Sequence, residues 1–116
     1  MSDIKIYHNP RCSKSRQTLA LLQENGIEPE VIEYLKQVPA ADELKALLAK
    51  LGMTARELLR TKEEAYKEHN LSDNSLSDNA IIAAMVTSPK LIERPIVVNG
   101  DAARIGRPPE QVLEII

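Results

Sequence analysis

Apolar residues alternate or bunch in short runs at the two ends of this chain, and recur every three or four positions through its middle. Ile4 to Tyr7 reads as a short strand, followed by a polar turn at Asn9-Pro10, where the proline steers Asn9 away from helical backbone. A helix beginning near Cys12 comes next: Leu19, Ala20 and Leu22 recur at helical spacing, and Gly26 after Asn25 is a good stop. Glu30 to Leu35 reads as a second strand with Pro29 at its mouth. Strand, helix and strand of these lengths predict a parallel pair joined by a right-handed crossover.

The middle is helical. Between Pro39 and Gly52, a helix from Asp42 to Leu51 puts Leu44, Leu47, Leu48 and Leu51 on one face. Thr54-Ala55-Arg56-Glu57 fits a capping box and predicts a short helix to about Arg60. A further short helix is expected over Glu63 to His69. Ser77 suits the N-cap of a helix from Asp78 to Thr87, which buries Ile81, Ile82, Met85 and Val86 before Pro89 closes it.

The last third changes period. Pro95 to Val98 and Ala102 to Ile105 read as an antiparallel hairpin around Asn99-Gly100, with Asp101 assignable to the turn or to the strand. Gly106 to Glu110 leads into a short final helix ending at Ile116, with a proline at its first position. The outline is β-α-β, a helical insertion at about 39–90, then β-β-α. This is the pattern of an α/β protein with a mixed sheet, expected as a single domain over 1–116.

Composition narrows the functions this frame can carry. Of 116 residues, 43% are hydrophobic and 28% charged, ordinary for a globular protein. There is no Trp or Phe and only three Tyr, so few platforms exist for stacking nucleobases. A net charge of −2 gives no bulk attraction to nucleic acid or anionic lipid. One cysteine allows no disulfide within the chain, and with two histidines it makes no zinc site. The first residues lack the basic and apolar regions of a secretory signal, and no run is long enough to span a bilayer. The expectation is a cytoplasmic protein with no nucleic-acid or membrane partner.

Cys12 is the candidate for chemistry. It falls at the first turn of the predicted helix, where backbone N–H groups lack partners and the peptide dipoles present positive charge. Arg11, Lys14 and Arg16 flank it, and His8 is four residues away. A free thiol ionises near about pH 8.5, so only a small fraction is nucleophilic thiolate at neutral pH; a helix N-terminus and basic neighbours raise that fraction. The competing reading is an inert buried cysteine serving as a small hydrophobe.

The motifs His8-Asn9-Pro10-x-Cys12-x-x-Ser15-Arg16, Leu59-Arg60, Leu91 to Val98 and Arg107-Pro108 resemble the glutaredoxin-linked arsenate reductases. The resemblance runs over nearly the whole chain in the same order. It is closest to a short bacterial arsenate-reductase-like branch whose members end soon after the last helix. Better-characterised relatives have a longer tail, and many carry a second cysteine where this chain has Gly106. The resemblance implies a thioredoxin-like fold with a helical insertion, and Cys12 as catalytic nucleophile with His8 helping to set its ionisation. It further implies Arg60, Arg94 and Arg107 as the oxyanion-binding residues, and a cis Pro95 facing the cysteine. Glutathione is the implied reductant and glutaredoxin the implied partner, with no bound cofactor or metal, in arsenic detoxification.

The chemistry explains why such a site needs arginines. A thiolate about 4 Å from a dianion is repelled by about 8 kcal/mol at an effective dielectric of about 20. Three guanidiniums balance the three negative charges, and each planar fork can pair two oxygens without losing its proton. Taken singly, the arginines also read as ordinary exposed charges, and Arg60 as a cation at a helix end. Two other functions stay open on the residues. One is a monothiol oxidoreductase acting on glutathione mixed disulfides or another oxyanion. The other is a regulator like the Spx proteins, which bind RNA polymerase; its redox-sensing form needs a Cys-x-x-Cys switch, and Ser15 removes it here.

Overall fold

The structure, a computed structural model, describes residues 4–116. The chain divides into two compact units: one runs to Gln37 and resumes from Arg94 to Ile116, and the other is Val38–Glu93.

The first unit is built on a four-stranded mixed sheet in the order β2-β1-β3-β4. Its strands are β1 (Ile4–His8), β2 (Glu30–Glu33), β3 (Ile96–Asn99) and β4 (Ala102–Ile105). β1 pairs parallel with β2, Ile6 opposite Val31, and antiparallel with β3, Ile6 opposite Val97. Helix α1 (Ser13–Glu24) makes the β1–β2 crossover, and a 3-10 helix over Pro109–Ile115 ends the chain. Strand alternation sends Ile4, Ile6 and Val97 to one face, where they form a buried cluster with Leu22 of α1 and Val112. Tyr7, Ile96 and Val98 point the other way and are buried as well.

α1 stops for a local reason. Gly26 takes φ +77, its N–H donates to Gln23, and the Ile27 N–H reaches back to Leu22 at 3.0 Å. This double closure satisfies the last carbonyls of the helix, and Ile27 packs onto the cluster that holds Leu22.

Three features of this unit depart from the pattern-based expectation. β2 ends at Glu33, two residues early, because the Glu33 carbonyl accepts N–H groups from both Lys36 and Gln37 and turns the chain. Tyr34 then leaves the strand for the interior, 1% exposed. In the β3–β4 hairpin, Asn99 stays in the strand opposite Ala102, so the loop is Gly100-Asp101 rather than Asn99-Gly100. Asn99 is held there by its side-chain amide, which donates to the Ile115 carbonyl. The last helix is 3-10 rather than α, opening on Pro109.

The second unit is helical: α2 (Ala41–Leu51), α3 (Ala55–Leu58), α4 (Glu64–Glu68), α5 (Asp78–Thr87) and a 3-10 turn over Pro89–Leu91. α2 and α3 both pack on α5, around buried Leu44, Leu47, Leu58, Ile81, Ile82 and Met85. Both halves of the predicted capping box are made at 2.9 and 3.2 Å between Thr54 and Glu57. Ser77 caps α5 through Ala80 N–H. α3 is shorter than expected, because Leu59 becomes extended and bridges Ile92. That bridge brings Arg60 N–H to the Leu91 carbonyl at 2.8 Å. No helix among the described residues is long and apolar enough to cross a membrane.

Candidate active site

The turn after β1 delivers Cys12 to the N-cap of α1. Asn9 organises it from both ends: its carbonyl accepts the Cys12 N–H, and its side-chain oxygen accepts the Arg11 N–H, each at 3.0 Å. Cys12 takes φ −93 and ψ 124, extended backbone that leaves the first amides of α1 unpaired within the helix. Arg16 ties the helix back to the turn through the Pro10 carbonyl.

Ser15, one turn into α1, is fully buried and holds the underside. Its hydroxyl oxygen accepts the Asn9 N–H at 3.0 Å and lies 2.6 Å from His8 Nδ1. The hydroxyl therefore serves two partners at once, the Asn9 amide and the His8 ring. Burial pushes the His8 pKa below its ordinary value, with Arg16 acting in the same sense and Glu33 against it. His8 thus bonds to Ser15, and its link to the thiol runs through that residue. Ser15 carries more of this site than its sequence context implies: its place in the first turn of the helix is legible there, but its burial and its bonds to Asn9 and His8 are not.

Cys12 is half-buried. Burial raises its pKa, but the Ser15 amide, a hydrogen bond from Arg94, the Arg94 charge and the Lys14 amide together outweigh it. The thiol ends below its ordinary value. Arg107 adds a second guanidinium, with Nη2 3.6 Å from Cys12 Sγ. Arg107 is itself aimed by the backbone, since its Nε donates to the Arg94 carbonyl at 2.8 Å. Cys12, Arg94 and Arg107, residues spread over more than eighty positions of sequence, therefore meet at one helix end. Arg94-Pro95 is cis, and so is Arg107-Pro108, the second with no cue in the sequence.

Arg60 belongs to the helical unit. There its guanidinium pairs with Glu93 at 2.9 Å and with Glu63 at 3.4 Å, all three side chains about a quarter exposed. Arg11 and Lys14 are exposed, and Arg104 pairs with Glu114 at 2.9 Å. Among the described residues, no group of three or more His, Cys, Asp and Glu side chains is placed to hold a metal ion.

A half-buried thiol below its usual pKa, with two guanidiniums and the first amides of a helix around it, can bind an anion and attack it. Comparison with known proteins identifies relatives of the whole chain. A model of the ArsC family matches residues 7–115. An Escherichia coli protein named "Uncharacterized protein YfgD" is 66% identical over 114 residues, covering 97% of this chain and 96% of its own. An arsenate reductase of Haemophilus influenzae is 52% identical over 112 residues, covering 96% and 97%. The solved structure of an arsenate reductase from Vibrio cholerae matches with a TM-score of 0.95 at 60% identity over 97% of each chain. The α/β fold it shares with this chain is thioredoxin-like.

Proposed function

The chain belongs to the ArsC family, and from that membership we propose that it reduces arsenate to arsenite, with Cys12 as nucleophile and glutathione and glutaredoxin as the electron supply. The observation that carries this reading is the convergence of Arg94 and Arg107 on the Cys12 sulfur. An inert cysteine needs no such surroundings, whereas a thiolate that must meet a dianion does.

In this mechanism arsenate docks against Arg94 and Arg107, with the α1 amides supplying further donors. The Cys12 thiolate attacks arsenic, and hydroxide leaves with a proton as water, giving a Cys12–S–As(V) adduct. The thiol of glutathione then attacks. The two sulfurs give up one electron each and become a Cys12–glutathione disulfide, while arsenic takes both electrons and departs as arsenite. A glutaredoxin thiolate removes the glutathione and restores Cys12. The chain has no second cysteine to resolve the disulfide, and Ser15 stands where a dithiol enzyme carries one, so the reductant comes from outside. His8 and Ser15 hold the turn that presents the thiol.

Arg60 is assigned to the anion by the Leu59-Arg60 motif. Its pairs with Glu93 and Glu63 more than neutralise it, so a carboxylate has to give way before the guanidinium can hold an anion. The test is a coupled assay with arsenate, glutathione and glutaredoxin. Turnover is expected, inhibited by phosphate and abolished in Cys12→Ser. Turnover retained in Cys12→Ser, or found only with a glutathionylated peptide and not with arsenate, rejects the proposal; the second result establishes the mixed-disulfide oxidoreductase instead.

A further inference from the structure

Arg60 and Glu93 are set side by side by the backbone before their side chains meet. Leu59 bridges Ile92, and a hydrogen bond closes the bridge on either side. The Arg60 N–H donates to the Leu91 carbonyl at 2.8 Å, and the Glu93 N–H donates to the Leu58 carbonyl at 3.0 Å. Across this clasp Arg60 Nη1 donates to Glu93 Oε1 at 2.9 Å. Glu63, three residues on, takes the Arg60 Nε at 3.4 Å, the longer and weaker of the two bonds. All three side chains are about a quarter exposed, so a solute can reach the pair.

The groups assigned to the anion so far, the guanidiniums of Arg60, Arg94 and Arg107 and the amides of α1, only donate hydrogen bonds. Donors alone hold any oxyanion of suitable charge. An ionised carboxylate only accepts, so one bonded to an anion-binding arginine changes what can bind there. An oxyanion without a proton offers acceptors alone, and its oxygens meet those of Glu93 with like charge. An oxyanion that keeps a hydroxyl can accept from Arg60 and donate to Glu93 at once. The carboxylate then gives way by exchanging one donor for another, without leaving the site. Arsenate and phosphate keep a proton at neutral pH, and sulfate keeps none. We propose that Glu93 is a specificity-determining residue of the anion site: its carboxylate accepts the hydroxyl proton of the bound oxyanion, so the site takes hydrogen oxyanions such as arsenate and phosphate and turns away fully ionised ones such as sulfate. The inference rests on the assignment of Arg60 to the anion, and it names the residue that narrows the class of substrate.

The test needs no turnover. Binding of inorganic phosphate and of sulfate is titrated calorimetrically at constant ionic strength in mildly alkaline buffer, where phosphate is mainly the hydrogen dianion and matches sulfate in charge. The wild type is expected to prefer phosphate. Glu93→Gln should lower that preference by about tenfold, mostly by gaining sulfate, because the amide can donate to a bare oxygen. Glu63→Gln removes the same charge and should strengthen both anions while keeping the wild-type ratio. A wild type that binds sulfate as tightly as phosphate overturns the inference. So does a Glu93→Gln ratio equal to wild type, or a fall as large in Glu63→Gln. If Glu93→Gln does not fold, Glu93→Ala is read by the same criteria. Arg60→Ala separates the inference from the reading beneath it, and should weaken phosphate. Unchanged phosphate affinity in Arg60→Ala, or no phosphate binding in the wild type, rejects the assignment of Arg60 to the anion and this inference with it. Weakened phosphate in Arg60→Ala beside an unchanged ratio in Glu93→Gln overturns the inference alone.

Discussion

His8 Nδ1 and the Ser15 hydroxyl meet at 2.6 Å beneath the turn that presents Cys12, and both residues are buried. The pKa of His8 is lowered in the fold, mainly by burial, so below its ordinary value the unfolded chain takes up a proton that the folded chain resists. Stability is therefore complete above about pH 6.5 and declines as the pH falls from there towards the lowered folded value. Denaturant unfolding at pH 5.5 and 7.5 should show a loss at the lower pH in the wild type, and a smaller one in His8→Gln. Ser15→Ala removes the hydroxyl that partners both His8 and the Asn9 N–H, and should cost about 1–3 kcal/mol at neutral pH.

The thiol of Cys12 titrates in the opposite functional sense. Its depressed pKa places the thiolate, and hence reactivity, at lower pH than in a free cysteine. The rate of iodoacetamide alkylation should rise with pH to a plateau whose midpoint lies below about 8.5. Arg94→Ala should move that midpoint upward more than Arg107→Ala. Arg94 supplies both a hydrogen bond and a charge to the sulfur, whereas Arg107 reaches it at 3.6 Å.

The helical unit can be probed through Thr54. Its hydroxyl and the Glu57 carboxylate close α3 reciprocally, and the short helix has only Ala55–Leu58 between that cap and the Leu59–Ile92 bridge. Thr54→Ala should destabilise the protein by about 1 kcal/mol, read as a drop of a few degrees in thermal midpoint. An unchanged midpoint would mean that Glu57 and packing on α5 hold the helix without the cap.

How much of this was legible in the sequence depends on the range of the force involved. Helix ends follow from local signals, and Thr54, Ser77 and Gly26 act as those signals imply. The end of β2 and the register of the β3–β4 hairpin depend on partners elsewhere, the Glu33 carbonyl in one case and the Ile115 carbonyl in the other, and there the pattern misplaces residues by one or two. At the site, Cys12 could be singled out by its own neighbourhood. The convergence of Arg94 and Arg107 could not, because the contact spans 95 positions and no local period encodes it; the family resemblance alone suggested it. Gly106 stands out in sequence only as the place where many relatives carry a cysteine; its tight contacts with Thr18 and Pro95 are visible in the fold alone.

The sharpest consequence concerns the guanidiniums. If each binds the oxyanion as well as attending the thiolate, Arg94→Ala and Arg107→Ala each lose a charge-assisted hydrogen bond. That is worth about 1.5–3 kcal/mol, or roughly tenfold to a hundredfold in kcat/KM for arsenate. Lysine should rescue neither. At Arg107 the Nε bond to the Arg94 carbonyl and the Nη2 approach to sulfur use two arms of one rigid fork, and an ammonium on a flexible stem has only one end to place. Arg60→Ala should raise KM more than it lowers kcat, since its charge is already engaged by Glu93 and Glu63. Steady-state kinetics of the alanine and lysine variants check all three. Full activity in Arg107→Lys would show that charge alone is needed, and that the planar geometry linking Arg94, Arg107 and Cys12 has no part in the reaction.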